Sequence, residues 1–437
     1  MTRFILVAWC CLANALATLG QQPRQQVLYS DIDNFWLAYD SIRTTTDSLR
    51  QLHYIQRLYI DKGTSGLKAF MEVRSYSAGE WVGSIRRYPK FWNSIRASTQ
   101  QAPASAQGFD PYLKKLKRLY PALQPASIYF TIGALRSGGT YKNDMVLIGA
   151  ELAMGSAEVD VSEFPASKKV FLNRLYKTQP IKHVIPLNIH EYVHTQQKGE
   201  SSTLLGLALQ EGTCDLVAEL VTKTTMPHPY MTYGPAHEAA IREQFKAEMF
   251  LPGTDNWFYN QTSDDPNHVP DLGYYMGYAI SKAYYQRAKN KKQAVKELIE
   301  LNYGDNEAVE NLLRKSGYYA EPLNKAQLLQ AYDDGRPVVT SISPAISGEG
   351  WLDASVKEIR VEFSTAMSPY TGTGYGPGGK EQFPIVGRTG FSADKKSYTY
   401  KVDLQPGRTY GFVLEAGFQS ANGRPLKPYE VKFRTRP

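Results

Sequence analysis

Cysteine is almost absent from this chain. The 437 residues hold three, and two of them, Cys10 and Cys11, sit in an apolar N-terminal run. Without that run Cys214 stands alone, so no internal disulfide framework is available. Cys214 itself reads as a small buried thiol rather than a nucleophile. A block of one charge is also missing. Lys and Arg number 50 against 42 Asp and Glu, and the net +8 is spread thinly. That excludes a basic arm for nucleic acid. Beyond the N-terminus no stretch is long and apolar enough to span a bilayer. What is present is apolar material, 42% of residues with 12% aromatic. At this length it supplies the cores of two or three domains.

The N-terminus has the pattern of a targeting segment. Met1-Thr2-Arg3 brings one positive charge, Phe4 to Leu19 is almost wholly apolar or small, and Ala15-Leu16-Ala17 fits an A-x-A cleavage site. Polar Gln21, Gln22 and Gln25 follow without a cluster of basic residues to stop transfer. A cleaved signal peptide over residues 1–20 is expected, with export to the periplasm, the cell surface or the medium.

The fold class expected for the remainder is α+β. Residues 21–335 are expected to form a mainly helical domain with a small sheet, divided into a helical part 21–125 and a metal-binding part 126–335. Phe35, Leu37, Ala38 and Ile42 mark one amphipathic face, and Leu52, Ile55, Leu58 and Ile60 the next. Strands are expected over 127–132 and 145–150, with a turn at Arg136–Thr140 between them. The second strand is a candidate edge for an extended peptide. Helix is expected from Pro180 to Ala331. Composition shifts near Arg336-Pro337, and residues 337–437 show short alternating runs between Gly, Pro and Asn turns. They read as a β-sandwich, with strands at 338–342, 359–363, 398–402, 409–414 and 430–435.

His190-Glu191-Tyr192-Val193-His194 fits H-E-x-x-H, in a chain with only seven histidines. On a helix, residues four apart share a face, so both imidazoles reach one ion with Glu191 beside it. Glu211 follows seventeen residues after His194, on what reads as the next helix. Two His and one carboxylate leave the fourth position of Zn2+ for water. Asp215 lies one turn beyond Glu211 and suits the N–H of a ligand imidazole.

This pattern, His190-Glu191-x-x-His194 with Glu211-x-x-x-Asp215, resembles the gluzincin metallopeptidases of the thermolysin clan. The resemblance implies zinc ligands at His190, His194 and Glu211, a general base at Glu191 and an orienting carboxylate at Asp215. More loosely, residues 31–331 look like bacterial families of predicted zinc-dependent proteases. Those carry a His-Glu-x-x-His-x-x-Gln helix and a Gly-Tyr-Tyr-x-Gly segment, which here is Gly273-Tyr274-Tyr275-Met276-Gly277. The C-terminal hundred residues resemble bacterial immunoglobulin-like domains, through Thr340–Pro344, Val361–Met367 and Val431–Thr435.

An oxyanion donor is needed beside the metal. Among Tyr274, Tyr275 and Tyr278, Tyr275 is favoured. The function expected is an exported zinc peptidase acting on peptide or protein substrates. Its alternatives are a zinc hydrolase of another amide or ester, and a surface-binding protein with a vestigial metal site. The Ig-like part is expected to be non-catalytic and to bind cell-surface or substrate partners.

Overall fold

The computed structural model describes residues 26–260, 268–346 and 350–437. The expected signal peptide, residues 1–20, lies outside the described residues. Seven α-helices and one π-helical turn run from Ser30 to Leu119. Local caps fix several starts. Asp47 accepts from the N–H groups of Leu49 and Arg50, Thr64 from Leu67, and Ser77 with Glu80 closes a capping box. The first helix, Ser30–Arg43, buries Ile32, Phe35, Trp36, Tyr39 and Ile42. Leu37 departs from the face expected of it and is 50% exposed. Two residues from Phe35, it lies about 200° round the helix.

Four short strands form one sheet in the order β1-β2-β4-β3. They are β1 (Val27–Leu28), β2 (Ser127–Thr131), β3 (Gly139–Lys142) and β4 (Met145–Gly149). β1 and β4 run parallel to β2, while β3 runs antiparallel to β4. The last four residues of β2 and of β4 are buried, as their apolar runs require. Strand β4 is therefore interior and the edge is β3. The expected turn holds only to Gly138, where the chain begins to pair with β4.

The region after Pro180 is a series of separate helices rather than one continuous run, and residues 250–260 are irregular. Four of these helices matter below: Val184–His194, Leu204–Thr222, Pro229–Glu248 and Leu272–Arg287. The second and fourth cross with their backbones almost touching. A Cβ on Gly277 would stand 1.6 Å from the Ala208 carbonyl oxygen, and one on Gly212 would stand 1.9 Å from the Tyr278 nitrogen. Only glycine fits at either position.

The C-terminal part packs two four-stranded sheets face to face. Their orders are β5-β7-β10-β9 and β6-β12-β11-β8. The strands are β5 (Val339–Ser343), β6 (Trp351–Leu352), β7 (Glu358–Phe363), β8 (Thr373–Tyr375), β9 (Ile385–Phe391), β10 (Ser397–Val402), β11 (Thr409–Leu414) and β12 (Tyr429–Thr435). Ile359, Val361, Tyr400, Phe412 and Phe433 meet in a core separate from that of the helical part. Arg336 stands at the boundary and donates to the Pro425 and Leu426 carbonyls at 3.0 and 2.7 Å.

Candidate metal centre

The helix Val184–His194 places His190 and His194 on one face. Thr203 caps the helix Leu204–Thr222 through the Gly206 N–H, and that helix delivers Glu211 to the same point. Three atoms converge there. The Nε2 atoms of His190 and His194 are 3.1 Å apart, and Glu211 Oε2 lies 3.2 and 3.1 Å from them. All three residues are buried.

The partners behind the imidazoles decide their tautomers. His190 Nδ1 is 2.7 Å from Asp215 Oδ1, and His194 Nδ1 is 2.8 Å from Gln197 Oε1. The Gln197 amide is oriented by its own donations to the Gln210 carbonyl at 2.9 Å and to the Tyr303 hydroxyl at 3.2 Å. Tyr230 donates to the other Asp215 oxygen at 3.1 Å. Each Nδ1 therefore carries a proton, and each Nε2 is the atom left to face Glu211. Donor atoms this close need a proton or a metal cation among them. A tetrahedral ion bound at about 2.0–2.1 Å sets its donor atoms about 3.3–3.4 Å apart, so the triangle fits one.

Charge favours the same conclusion. Burial acts to lower the His190 pKa, yet Asp215 and Glu211 outweigh it and hold it well above the ordinary imidazole value. For His194, burial is likewise overcome by Glu211. Burial alone would raise the Glu211 pKa, but the two imidazoles carry it well below the usual carboxylate range. The cluster is built to hold positive charge between its donors.

Cys214 also lies close, its sulfur grouping with the two histidines within 4.8 Å. It approaches from the wrong side, 3.5 Å from His194 Nδ1 and 3.4 Å from the Gln210 carbonyl. Burial pushes its thiol well above the ordinary value, so it stays protonated. Glu211, facing both Nε2 atoms, is the better third donor, and Cys214 is the buried thiol expected from the sequence.

Glu191 stands next to the cluster, half-buried, against the start of β3. A Cβ on Gly139 would lie 3.3 Å from its Oε1. Burial raises the Glu191 pKa, and His190 and His194 pull it down. Glu191 and His190 both line a cavity of about 300 Å3. Tyr274, Tyr259 and His228 line it too. From β3, Tyr141 stacks on the His194 ring at 4.9 Å and 13°.

Of the residues singled out from the sequence, His190, His194, Glu211, Glu191 and Asp215 come together. Tyr275 does not. Its ring fills the space beside Gly234, and its hydroxyl donates to Glu238 at 3.0 Å. The neighbouring Tyr274 faces the cavity, stacked on Tyr230 at 5.3 Å and 6.3 Å from the His190 ring. His237 is exposed and bonded to the Tyr233 carbonyl, whereas His228 is in the cavity wall. Sequence reasoning gave no role to Gln197, Tyr141 or Tyr230. Gln197 alone had a signal, three residues after His194 in the His-Glu-x-x-His-x-x-Gln pattern.

Comparison with known proteins bears on the C-terminal part. Residues 333–435 match the family model of the bacterial Ig-like domain. The two-sheet sandwich above is the fold of that match. No curated protein matches the chain significantly. Among solved structures, CopC from Methylosinus trichosporium OB3b is similar at 17% identity, over 23% of this chain and 94% of that one, with a TM-score of 0.19. Two structures of the surface-layer protein SbsC are similar at 10% identity over 93% of this chain, with TM-scores of 0.18 and 0.17. The chain spans 45% of each SbsC chain. At such scores these likenesses carry no argument about fold or function. No helix among the described residues is long and apolar enough to cross a membrane.

Proposed function

We propose that the chain is an exported zinc-dependent peptidase of the gluzincin kind, with zinc held by His190, His194 and Glu211. The observation that carries this is the triangle of donor atoms 3.1–3.2 Å on a side, with Glu191 beside it on an open cavity. Bound zinc would supply Lewis acidity, polarising a substrate carbonyl and acidifying a water. Glu191 takes the proton of the attacking water and returns it to the leaving amine. Its half-buried setting supports the first of these duties, because a carboxylate whose pKa is raised by burial is the stronger base toward the attacking water.

The remaining groups orient and stabilise. Asp215 and Gln197 hold the two imidazoles in one tautomer and one plane. Strand β3 is the sheet edge at Glu191, so an extended substrate can add to it by main-chain hydrogen bonds. That favours a peptide over another amide or an ester. Tyr274 is the oxyanion donor, held on a helix and wedged between Tyr230 and Phe258. The Ig-like domain brings no catalytic cluster and serves in attachment or substrate positioning. Its presence and the A-x-A segment support export.

The test is chelation followed by zinc addition, with cleavage of a peptide library followed by mass spectrometry. Chelated protein should be inactive and one equivalent of zinc should restore cleavage. Cleavage insensitive to chelation contradicts the proposal.

A further inference from the structure

We propose that Arg174 is the anion-recognising end of the cavity and selects substrates that place a carboxylate there. The inference rests on the peptidase reading for what the ligand is, though not for where it binds.

Arg174 lies in the last turn of the helix Ala166–Lys177. Phe171 and Leu175, on the same face, line the cavity with it, and Leu152, Leu187 and Met226 add apolar wall. The other charged or titratable groups in the wall are already engaged. Arg136 pairs with Glu80 at 3.0 Å and covers the Tyr76 ring. Asp215 is taken by His190 and Tyr230, and Asp271 accepts from the Tyr259 N–H at 2.7 Å. Glu191 and His190 belong to the reaction. His228 is kept neutral, since burial lowers its pKa. Arg174 is half-buried on the same wall and has no hydrogen bond or ion pair among the described residues. It does not reach back to cap the carbonyls of its own helix, the ordinary use of an Arg at a helix C-terminus.

A guanidinium partly withdrawn from water on an apolar wall, with no partner, costs free energy that an incoming anion relieves. Its planar fork matches a carboxylate by two parallel hydrogen bonds. The apolar wall suits an aliphatic stem ahead of that carboxylate. Two sources share this chemistry: a glutamate or aspartate side chain near the scissile bond, and the free C-terminal carboxylate of a peptide.

Binding separates this inference from the reaction. Full-length Glu191→Gln protein loaded with zinc is titrated, by calorimetry, with two peptide sets. In one, blocked and amidated heptapeptides carry a single Glu walked along an Ala/Leu background, each beside its Gln counterpart. In the other, the background peptide ends in a free carboxylate or an amide. One carboxylate source should bind ~10-fold or more tighter than its neutral counterpart. Arg174→Gln should erase that ratio while leaving the affinity of the neutral peptide unchanged, and Arg174→Lys should restore part of it. A Glu-dependent ratio identifies the side chain, and a terminus-dependent ratio identifies the α-carboxylate. Equal affinities in the unsubstituted Arg174 background, no binding of any carboxylate peptide, or a ratio that survives Arg174→Gln overturns the inference. Wild-type cleavage is followed in parallel. Cleavage without a carboxylate preference removes Arg174 and leaves the peptidase standing. An Arg174-dependent preference in binding without cleavage does the reverse.

Discussion

At the scale of single residues, the centre is decided by what stands behind each ligand. Asp215 is fully buried between the His190 imidazole and the Tyr230 hydroxyl. Asp215→Asn keeps an acceptor but loses the charge, and should weaken zinc affinity ~10–100-fold. Glu219, one turn further, binds Tyr278 and Lys282 rather than a ligand. Titration of zinc into both variants checks this, with Glu219→Gln near wild type and Asp215→Asn well below it. Equal affinities would remove Asp215 from the centre. Tyr274→Phe should lower kcat ~100–1000-fold with zinc retained, as removal of an oxyanion donor does. Tyr275→Phe, which removes only one of the two tyrosine hydrogen bonds to Glu238, should leave kcat near wild type. Comparable kcat values for the two would withdraw the role given to Tyr274. The convergence of His190 and His194 was legible because a four-residue spacing is a local property of one helix. The choice between Tyr274 and Tyr275 was not. Adjacent helical residues differ by about 100°, and which one faces the cavity depends on how two helices pack.

At the scale of elements, the glycines of the Gly-Tyr-Tyr-x-Gly segment explain why that segment exists. Gly273 lies under the Phe258 ring, and Gly277 lets its helix rest on the helix that carries Glu211. Gly277→Ala must push the two apart. It should cost about 1–3 kcal/mol of stability and, by displacing Tyr274 from Glu211, lower activity further. Urea unfolding and zinc affinity measured on the variant check both. Unchanged values would mean that the helices do not cross there. The motif was visible in the sequence, whereas the partner face was not, since Ala208 and Gly212 look like ordinary small residues on an apolar helix. Strand β3 was missed for a related reason. Gly139-Thr140-Tyr141-Lys142 has neither an apolar run nor a buried face, because an edge strand pairs on one side only.

At the scale of the whole molecule, the described residues form two hydrophobic cores, one in the helical part and one between the sheets of the C-terminal sandwich. The boundary near Arg336-Pro337 was legible as a change in composition. Five of the eight sandwich strands read as alternating runs. The two- and three-residue β6 and β8, and the half-exposed β9, did not. Separate cores predict two calorimetric transitions. Removing zinc should lower only the transition of the helical part, since a ligand stabilises the unit that binds it, by about 4 kcal/mol at a thousandfold excess over Kd. A single transition that moves as a whole would contradict two independent units. The central claim, a hydrolytic zinc centre with Glu191 as its base, is tested most directly by comparing wild type and Glu191→Gln for metal content and peptide cleavage in one preparation. One zinc per chain in both, with cleavage in the wild type alone, is the predicted result. Equal cleavage by the two proteins, or no zinc in either after loading, would contradict it.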